Sequence, residues 1–336
     1  MVISVIILLR GSNIINMVIN MQNKKVVVLG GGTGMSTLLK GLKLYPLDIT
    51  AVVSVCDDGK STGRLRKEFN IIAVGDIRRV LVSLSETEPL VEKLMNYRFE
   101  TSSDLNGHTV GNLLLTALSN ITGNLSDGIE AIAKVFNLKG KVLPLTEDYV
   151  TLAACMIDGT EVIGEHNITE SNNTIKEVYY KEESETNPLV LKELENADLI
   201  ILSMGSLYTS VIPNLLNKDV VKVIEKSKAK IMYVCNMMTQ PGETDDFKAS
   251  DHVNVLNKYL GKRHVDVIIG NDGKISKEIK EKYETLEQKD EVIFDKENLE
   301  KMNLEIISND YVDISDEIIR HKIDKLSLDI FAFLIK

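Results

Sequence analysis

The sequence predicts an α/β fold, Rossmann-like and three-layered, with a mostly parallel sheet and an antiparallel hairpin insertion. Three observations predict it. Short runs of β-branched and aliphatic residues recur from Lys25 onward, separated by amphipathic helical stretches, as a parallel sheet with helical crossovers requires. The runs are apolar almost throughout rather than at every second residue, which is the pattern of strands covered on both faces. Between about residues 149 and 180 the alternation stops, and two strand-like runs meet at Asp158-Gly159, a good hairpin turn.

Residues 1–24 read as an N-terminal extension outside the fold. Val2 to Leu9 are largely apolar, but the run closes at Arg10 and Gly11. That is too short to span a bilayer, and it lacks the basic start and small-residue cleavage site of a secretory leader. A start at Met17 or Met21 would put Lys24 and Lys25 directly ahead of the first strand. Residues 25–336 then form a single domain. VVVLG (26–30) is a buried strand, with a helix from Gly34 to Leu44. ITAVVSVCDD (49–58) is a second strand ending in two aspartates. Helical patterns follow at 75–86, 88–98, 109–121 and 126–137. The insertion takes two strands from 149–168 and another from IKEVYY (175–180), and is expected to cover one edge of the main sheet. After a polar break at Lys181–Asn187, strands return in ADLIILSMGS (197–206), KIMYVCN (230–236) and VDVIIGND (265–272). Residues 274–301, rich in lysine and glutamate, read as a solvated helix and loop. Ile314 to Lys336 has helical spacing and is expected to be one packing helix.

Composition narrows the function. The chain has 336 residues, 44% of them apolar and 26% charged, with a net charge of −10. That is enough for a sizeable core, and the acidic balance argues against nucleic acid or an anionic membrane as partner. There is no tryptophan, so a base-stacking platform is not expected. Cys56, Cys155 and Cys235 are odd in number and widely spaced, which suits a reducing cytoplasm and buried thiols rather than disulfides or zinc. His166, His252, His264 and His321 have no mutual metal spacing.

The strongest local motif is VVVLGGGTGMSTLL (26–39), a strand, a glycine loop and a helix. Glycines let backbone N–H groups approach an anion closely, and a helix start adds orphan donors and partial positive charge. Gly30, Gly31, Gly32 and Gly34 are therefore read as a phosphate nest, with Thr33 and Ser36 supplying hydroxyls. It is not the dinucleotide fingerprint, because Met35 stands where the third glycine belongs, and no Walker lysine follows. In CDDGKSTGRLRKEF (56–69), Asp57 and Asp58 occupy the place of an acid that holds a ribose or, through water, Mg²⁺. Arg64 and Arg66, after a flexible Gly-Ser-Thr-Gly stretch, could fork onto a phosphate or carboxylate. Asp76 in VGDIRRVL (74–81) is either an N-cap or a ligand group. His108 and Asn112 in LNGHTVGNLLLTAL (105–118) lie at another helix entry, where His108 is the best-placed histidine for acid–base work. Two later strand ends carry Gly205, Ser206, Tyr208, Thr209 and Ser210, then Asn236, Thr239, Gln240 and Thr244. Ligands of open α/β sheets bind outside the carboxyl ends of strands, so these polar ends are expected to converge on one crevice.

Taken together, GGGTG (30–34), DDGKSTGRLR (57–66), VGDIRR (74–79), NGHTVGNL (106–113), GSLYTSVIPNLL (205–216) and CNMMTQPGETDD (235–246) resemble the gluconeogenesis factor (YvcK-like) family, related to CofD-like 2-phospho-L-lactate transferases. The likeness runs in order over about 25–335. The resemblance implies a Rossmann-like fold that binds a nucleotide-sugar, UDP-N-acetylglucosamine above all, and a role in cell shape and envelope precursor supply during gluconeogenic growth. It implies that Gly31 to Gly34 face the diphosphate, that Asp57 and Asp58 sit by the nucleoside or a metal, and that Asn112, Thr209 and Asn236 line the same crevice. Lys60 departs from the family, where a small residue, often glycine, is expected after DDG, and Met204 stands where glycine is common.

Two functions follow. A cytoplasmic UDP-sugar sensor fits the nest and the lack of a nucleophile–base pair, and leaves open a homo-oligomer and a protein partner. A Mg²⁺-dependent enzyme transferring a phosphorus-containing group from a nucleotide donor fits Asp57, Asp58 and the arginines. An NAD-dependent oxidoreductase is a weaker third reading, disfavoured by the missing third glycine.

Overall fold

The computed structural model describes residues 24–86, 89–171, 173–315 and 318–336; nearly all of the extension at 1–24 lies outside them. Four apolar runs form strands buried beyond their polar first residues: β1 (Lys25–Gly30), β2 (Asp48–Val53), β7 (Leu199–Leu202), which is buried throughout, and β8 (Lys230–Val234). With β3 (Lys141–Pro144), β9 (Val267–Asn271) and β10 (Glu305–Asn309) they make one parallel seven-stranded sheet, in the order β10-β9-β8-β7-β1-β2-β3. The order runs outward from β1 through β2 to β3, then resumes at β7 and runs the other way. The switch point lies between β1 and β7.

Both edge strands, β3 and β10, escape the sequence reading. β10 is half-exposed along its length and β3 has four residues ending in Pro144. An edge strand has fewer neighbours to bury it and tolerates proline, so neither carries the unbroken apolar run of a central strand.

Helices α1 (Gly32–Leu42), α2 (Lys60–Phe69), α3 (Gly75–Leu84), α4 (Pro89–Asn96), α5 (Val110–Thr122) and α6 (Leu125–Val135) connect the first three strands. The stretch at 59–63, read as flexible, is the start of α2. Its Gly63 is needed inside the helix, because a Cβ there would come within 2.0 Å of the Asp58 carbonyl oxygen. The β2 run likewise stops at Val53, leaving Cys56, Asp57 and Asp58 in the loop beyond it.

The insertion is a three-stranded antiparallel sheet, β5-β4-β6, from β4 (Leu152–Met156), β5 (Glu161–Ile163) and β6 (Ile175–Tyr180), with a short helix α7 (Glu165–Thr169) where the reading continued a strand. It does not cover an edge of the main sheet. The Tyr180 hydroxyl donates to Pro213 O (2.9 Å), and the Val178 N–H donates to the Tyr259 hydroxyl (3.0 Å). The insertion therefore docks on segments that follow β7 and β8.

Helix α8 (Pro188–Glu195) leads into β7. After it come one π-helical turn (Leu207–Val211), a 3₁₀ turn (Ile212–Leu215) and α9 (Lys218–Lys226). Helix α10 (Ala249–Tyr259) follows β8, and α11 (Lys277–Glu287) and α12 (Lys296–Lys301) precede β10. Right-handed crossovers in opposite directions from the switch point place α1 and α9 on opposite faces. The expected single terminal helix is instead a hairpin, β11 (Val312–Ser315) and β12 (Ile318–His321), followed by α13 (Ile323–Leu334). The β-branched residues Val312, Ile314, Ile318 and Ile319 suit strands, and helical spacing is a real signal only from Ile323. Among the described residues no helix is long and apolar enough to cross a membrane.

Candidate ligand site at the sheet switch point

The glycine loop sits where β1 ends, and its close contacts explain its composition. A Cβ on Gly34 would lie 1.4 Å from Met204 O, and one on Gly30 would lie 2.0 Å from Ser203 Oγ. The loop is thus pressed directly on the backbone leaving β7. Gly32 has φ +67°, a left-handed conformation that glycine adopts at little cost.

The starts of α2 and α3 meet the same loop. A Cβ on Gly31 would be 2.6 Å from Asp76 Oδ2 in the first turn of α3. One on Gly75 would be 2.6 Å from both Asp57 Oδ2 and Thr62 Oγ1, the latter in the first turn of α2. Three helix N-termini therefore come together, and their N-cap positions, Gly31, Gly59 and Val74, supply no capping side chain.

Several other helix starts are satisfied internally, while α11, α12 and α13, at Ser276, Asp295 and Lys322, also lack a side-chain cap. Thr109, Asn124, Asn187 and Asn217 cap α5, α6, α8 and α9. Glu147 also accepts from Leu125 N (3.2 Å) and Ser126 N (2.8 Å), Asp58 from His166 N in α7 (2.9 Å), and Asp295 from Ser250 N in α10 (3.0 Å). Unpaired N–H groups at a helix start, with the partial positive charge of the dipole, make an anion site. At the switch point three starts without a capping side chain are grouped, and at α1 the Gly32 N–H is taken by Asp76.

The predicted residues divide into those that face this space and those engaged with protein. Asp76 is buried, accepts from Gly32 N and pairs with Arg79 at 2.9 Å. Burial and Asp57 raise its pKa, against the pull of Arg79. Asp57 and Asp58 diverge: Asp57 Oδ1 accepts from Gly59 N (2.9 Å) and its Oδ2 turns toward Gly75, while Asp58 is pinned to the start of α7. The two do not form one chelating pair. Arg66 is buried and donates to Cys56 O, Asp57 O and Val150 O, with its guanidinium 4.2 Å above the Tyr149 ring, so it holds the β2 loop rather than a ligand. Arg64 is exposed and donates to Asn106 O. Thr33 is exposed, and Ser36 donates back to Gly32 O (3.0 Å). His108, Asn112 and Ser61 form a buried chain: Ser61 Oγ is 3.0 Å from His108 Nδ1 and accepts from Asn112 Nδ2 at 3.2 Å. Burial and Arg64 lower the His108 pKa.

On the β7 and β8 side several polar groups converge on Glu243, 2% exposed, while Ser203 Oγ and Asn214 Oδ1 are buried without a partner. Its carboxylate accepts from Ser206 Oγ, Tyr208 N (3.2 Å), Thr209 Oγ1 (3.3 Å) and Gln240 Nε2 (3.2 Å). Asn236 Nδ2 donates to Gly205 O (2.7 Å), and Thr239 Oγ1 accepts from Asp290 N (2.8 Å). Gly205 packs beside Gly31 O.

Two acidic residues of this region were not singled out in the sequence. Glu243 lies in the quoted MTQPGETDD stretch, between Gln240 and Thr244. Glu165 follows Gly164, whose φ of +98° marks the end of β5 and the turn into α7. Burial, then Asp57, Asp76, Asp58 and Glu243, push the Glu165 carboxyl up to about 8. The strand ends are thus rich in donors at the helix starts and in carboxylates around them. Among the described residues no group of three or more His, Cys, Asp or Glu side chains is arranged to hold a metal. Cys56 and Cys235 are buried free thiols, raised by burial, as packing residues should be.

A cavity of about 190 Å³ opens beside the glycine loop, between Thr33, Ser36, Lys40, Arg79, Ser83 and Asn96. The larger one, about 460 Å³, lies at the amino ends of β8 to β10, where Lys230 and Arg263 both pair with Asp266. The open-sheet rule places ligands at the carboxyl ends; of the predicted site residues only Thr33 and Ser36 line the smaller cavity, which continues between α1, α3 and α4.

The chain matches 2-phospho-L-lactate transferase CofD over residues 26–312. It is 47% identical over 307 residues to the gluconeogenesis factor of Bacillus subtilis, covering 91% of this chain and 96% of that one. With the gluconeogenesis factor of Halalkalibacterium halodurans it shares 45% identity over 309 residues, 91% of this chain and 95% of the relative. A crystal structure from Bacillus halodurans superposes with a TM-score of 0.89 at 44% identity, covering 92% of this chain and 99% of that one. A second crystal structure, of a UPF0052-family protein from the same organism, gives 0.88 at 44% identity over 91% and 99%. Matched over nearly its whole described length by fold and sequence, the chain belongs to the CofD family, among the relatives named gluconeogenesis factors.

Proposed function

We propose that this protein is a gluconeogenesis factor that binds a nucleotide-sugar, UDP-N-acetylglucosamine first among candidates, and acts as a cytoplasmic regulator of cell shape and envelope precursor supply. The observation that carries the ligand class is the grouping of three helix starts without a capping side chain, α1, α2 and α3, around one glycine loop. Helix starts that no N-cap side chain completes, grouped at one point, favour a phosphate there. The physiological role rests on the relatives' names and the family resemblance.

A second reading, Mg²⁺-dependent transfer of a phosphorus-containing group, is favoured by the crowding of Asp57, Asp76 and Glu165, since a cation would relieve it. Asp57 and Asp76, whose Oδ2 atoms flank the glycine loop and α3, would hold such an ion better than Asp57 and Asp58.

Titration calorimetry against UDP-N-acetylglucosamine, with NAD and GTP as controls and with or without Mg²⁺, tests both readings. Binding of the UDP-sugar alone, with no product on incubation, is the expected result. Turnover that needs Mg²⁺ and is lost in Asp76→Asn would establish the transferase reading instead. Heat with NAD or GTP and silence with the UDP-sugar would overturn the ligand class.

A further inference from the structure

Asn112 is 3% exposed, and its Oδ1 has no hydrogen-bond partner. A buried carboxamide oxygen left unpaired is costly, unless a ligand completes it. Its other end is fixed. Ser61 Oγ has one proton and lies 3.0 Å from His108 Nδ1 and 3.2 Å from Asn112 Nδ2. With His108 as the Nε2–H tautomer, Nδ1 accepts that proton and Ser61 accepts from Asn112 Nδ2, which turns Oδ1 away from it.

The place of this chain matters. Ser61 is in the uncapped first turn of α2, next to Thr62, whose Oγ1 stands beside Asp57 Oδ2 at Gly75. Polar groups thus follow one another from the glycine loop through Asp76 and Asp57 to Thr62, and the adjoining Ser61 makes the contact with Asn112. A ligand anchored by phosphate at the glycine loop would reach Asn112 with whatever the phosphate carries.

We propose that Asn112 Oδ1 accepts a hydrogen bond from a hydroxyl or amide N–H on the group that the ligand's phosphate bears, with Ser61 and His108 as positioning residues that hold the carboxamide in that sense. The proposal rests on the phosphate-ligand reading above and adds the residue that reads the far end. A site built around an acceptor discriminates strongly against a ligand lacking the donor, because the buried oxygen is then left unpaired.

Calorimetry at pH 7.5 with UDP-N-acetylglucosamine and with UDP, on the wild type, Asn112→Leu, Ser61→Ala and His108→Leu, decides it. Asn112→Leu should weaken the UDP-sugar by about 10- to 100-fold and leave UDP within about two-fold. Ser61→Ala and His108→Leu should show the same selective loss, smaller, and they carry the test should Asn112→Leu fail to fold. Equal losses for both compounds, or none for either, would make Asn112 a structural residue and overturn the inference. Equal wild-type affinity for UDP and the UDP-sugar would overturn it while leaving the phosphate site standing. A wild type that binds neither would overturn the ligand reading itself.

Discussion

The two sides of the switch point are built from the same parts and finished differently. On the β1 and β2 side, glycine-rich loops lead into α1, α2 and α3, whose starts lack capping side chains. On the β7 and β8 side, an equally polar pair of loops closes on itself, with four donors on the Glu243 carboxylate and Asn236 on Gly205 O. An internal carboxylate there does for the protein what a ligand's phosphate would do opposite. On the function proposed above, similar polar strand ends make a binding side and a wall, told apart by the bookkeeping of donors.

The seam between the two sides should be the most sensitive point. Gly34→Val would drive a side chain into Met204 O, which neither backbone can vacate, and should cost more than about 3 kcal/mol. Thermal unfolding checks this, and an unchanged Tm would mean the sides are not in contact. Next comes the binding side. Gly32→Val meets only Ser210 Oγ, at 3.7 Å, so space is available, but its φ of +67° costs a branched residue about 1–2 kcal/mol. The variant should still fold and should lose UDP-sugar binding by calorimetry; retained affinity would reduce the nest to a turn.

On the wall side, Glu243→Gln sets an amide N–H₂ against donors. It should cost about 1–3 kcal/mol while changing ligand affinity by less than about five-fold. Loss of binding in a well-folded Glu243→Gln protein would erase the contrast between the sides.

Glu165 gives the contrast a pH signature. Its carboxyl is raised from 4.5 to about 8 in the fold, so burial among Asp57, Asp76, Asp58 and Glu243 disfavours its charged form. The corresponding stability is fully present below the unfolded pKa and is lost as pH rises through the folded one. The unliganded protein should therefore melt lower at pH 9 than at pH 6. Glu165→Gln should recover about 1–3 kcal/mol at pH 9, discounted because the side chain is partly exposed. A wild-type melting temperature equal at both pH values would show that Glu165 is not crowded by its neighbours.

The smallest effect concerns Lys60, which has φ +30°. Lys60→Gly should stabilise the entry to α2 by about 0.5–1 kcal/mol, because glycine removes the Cβ strain at positive φ. A fall in Tm would mean that the lysine's own contacts outweigh that strain.

Legibility in the sequence followed burial. The central strands β1, β2, β7, β8 and β9 were readable because strands covered on both faces have to be apolar at consecutive positions. The half-exposed β10 and the four-residue β3 carry no such run, and the β11–β12 hairpin was absorbed into the helical spacing that begins at Ile323. The glycine loop was readable too, because few residues other than glycine allow such close backbone approach. The roles of Arg66 and Glu243 were not. Arg66 in a polar loop and Arg66 on three buried carbonyls are the same letter in the same motif.

By itself, then, the sequence determined the parallel α/β architecture, the hairpin at Asp158-Gly159 and the glycine loop after β1, since each is dictated by local periodicity or by backbone conformation. Tertiary structure alone decided that Asp57 and Asp58 point apart, that Glu243 and not a ligand fills the β7 turn, that Glu165 enters the site from the insertion, and that Asn112 keeps an unpaired oxygen. Those outcomes depend on which distant donors and carboxylates the fold brings within about 3 Å of one another, and no local pattern encodes that distance.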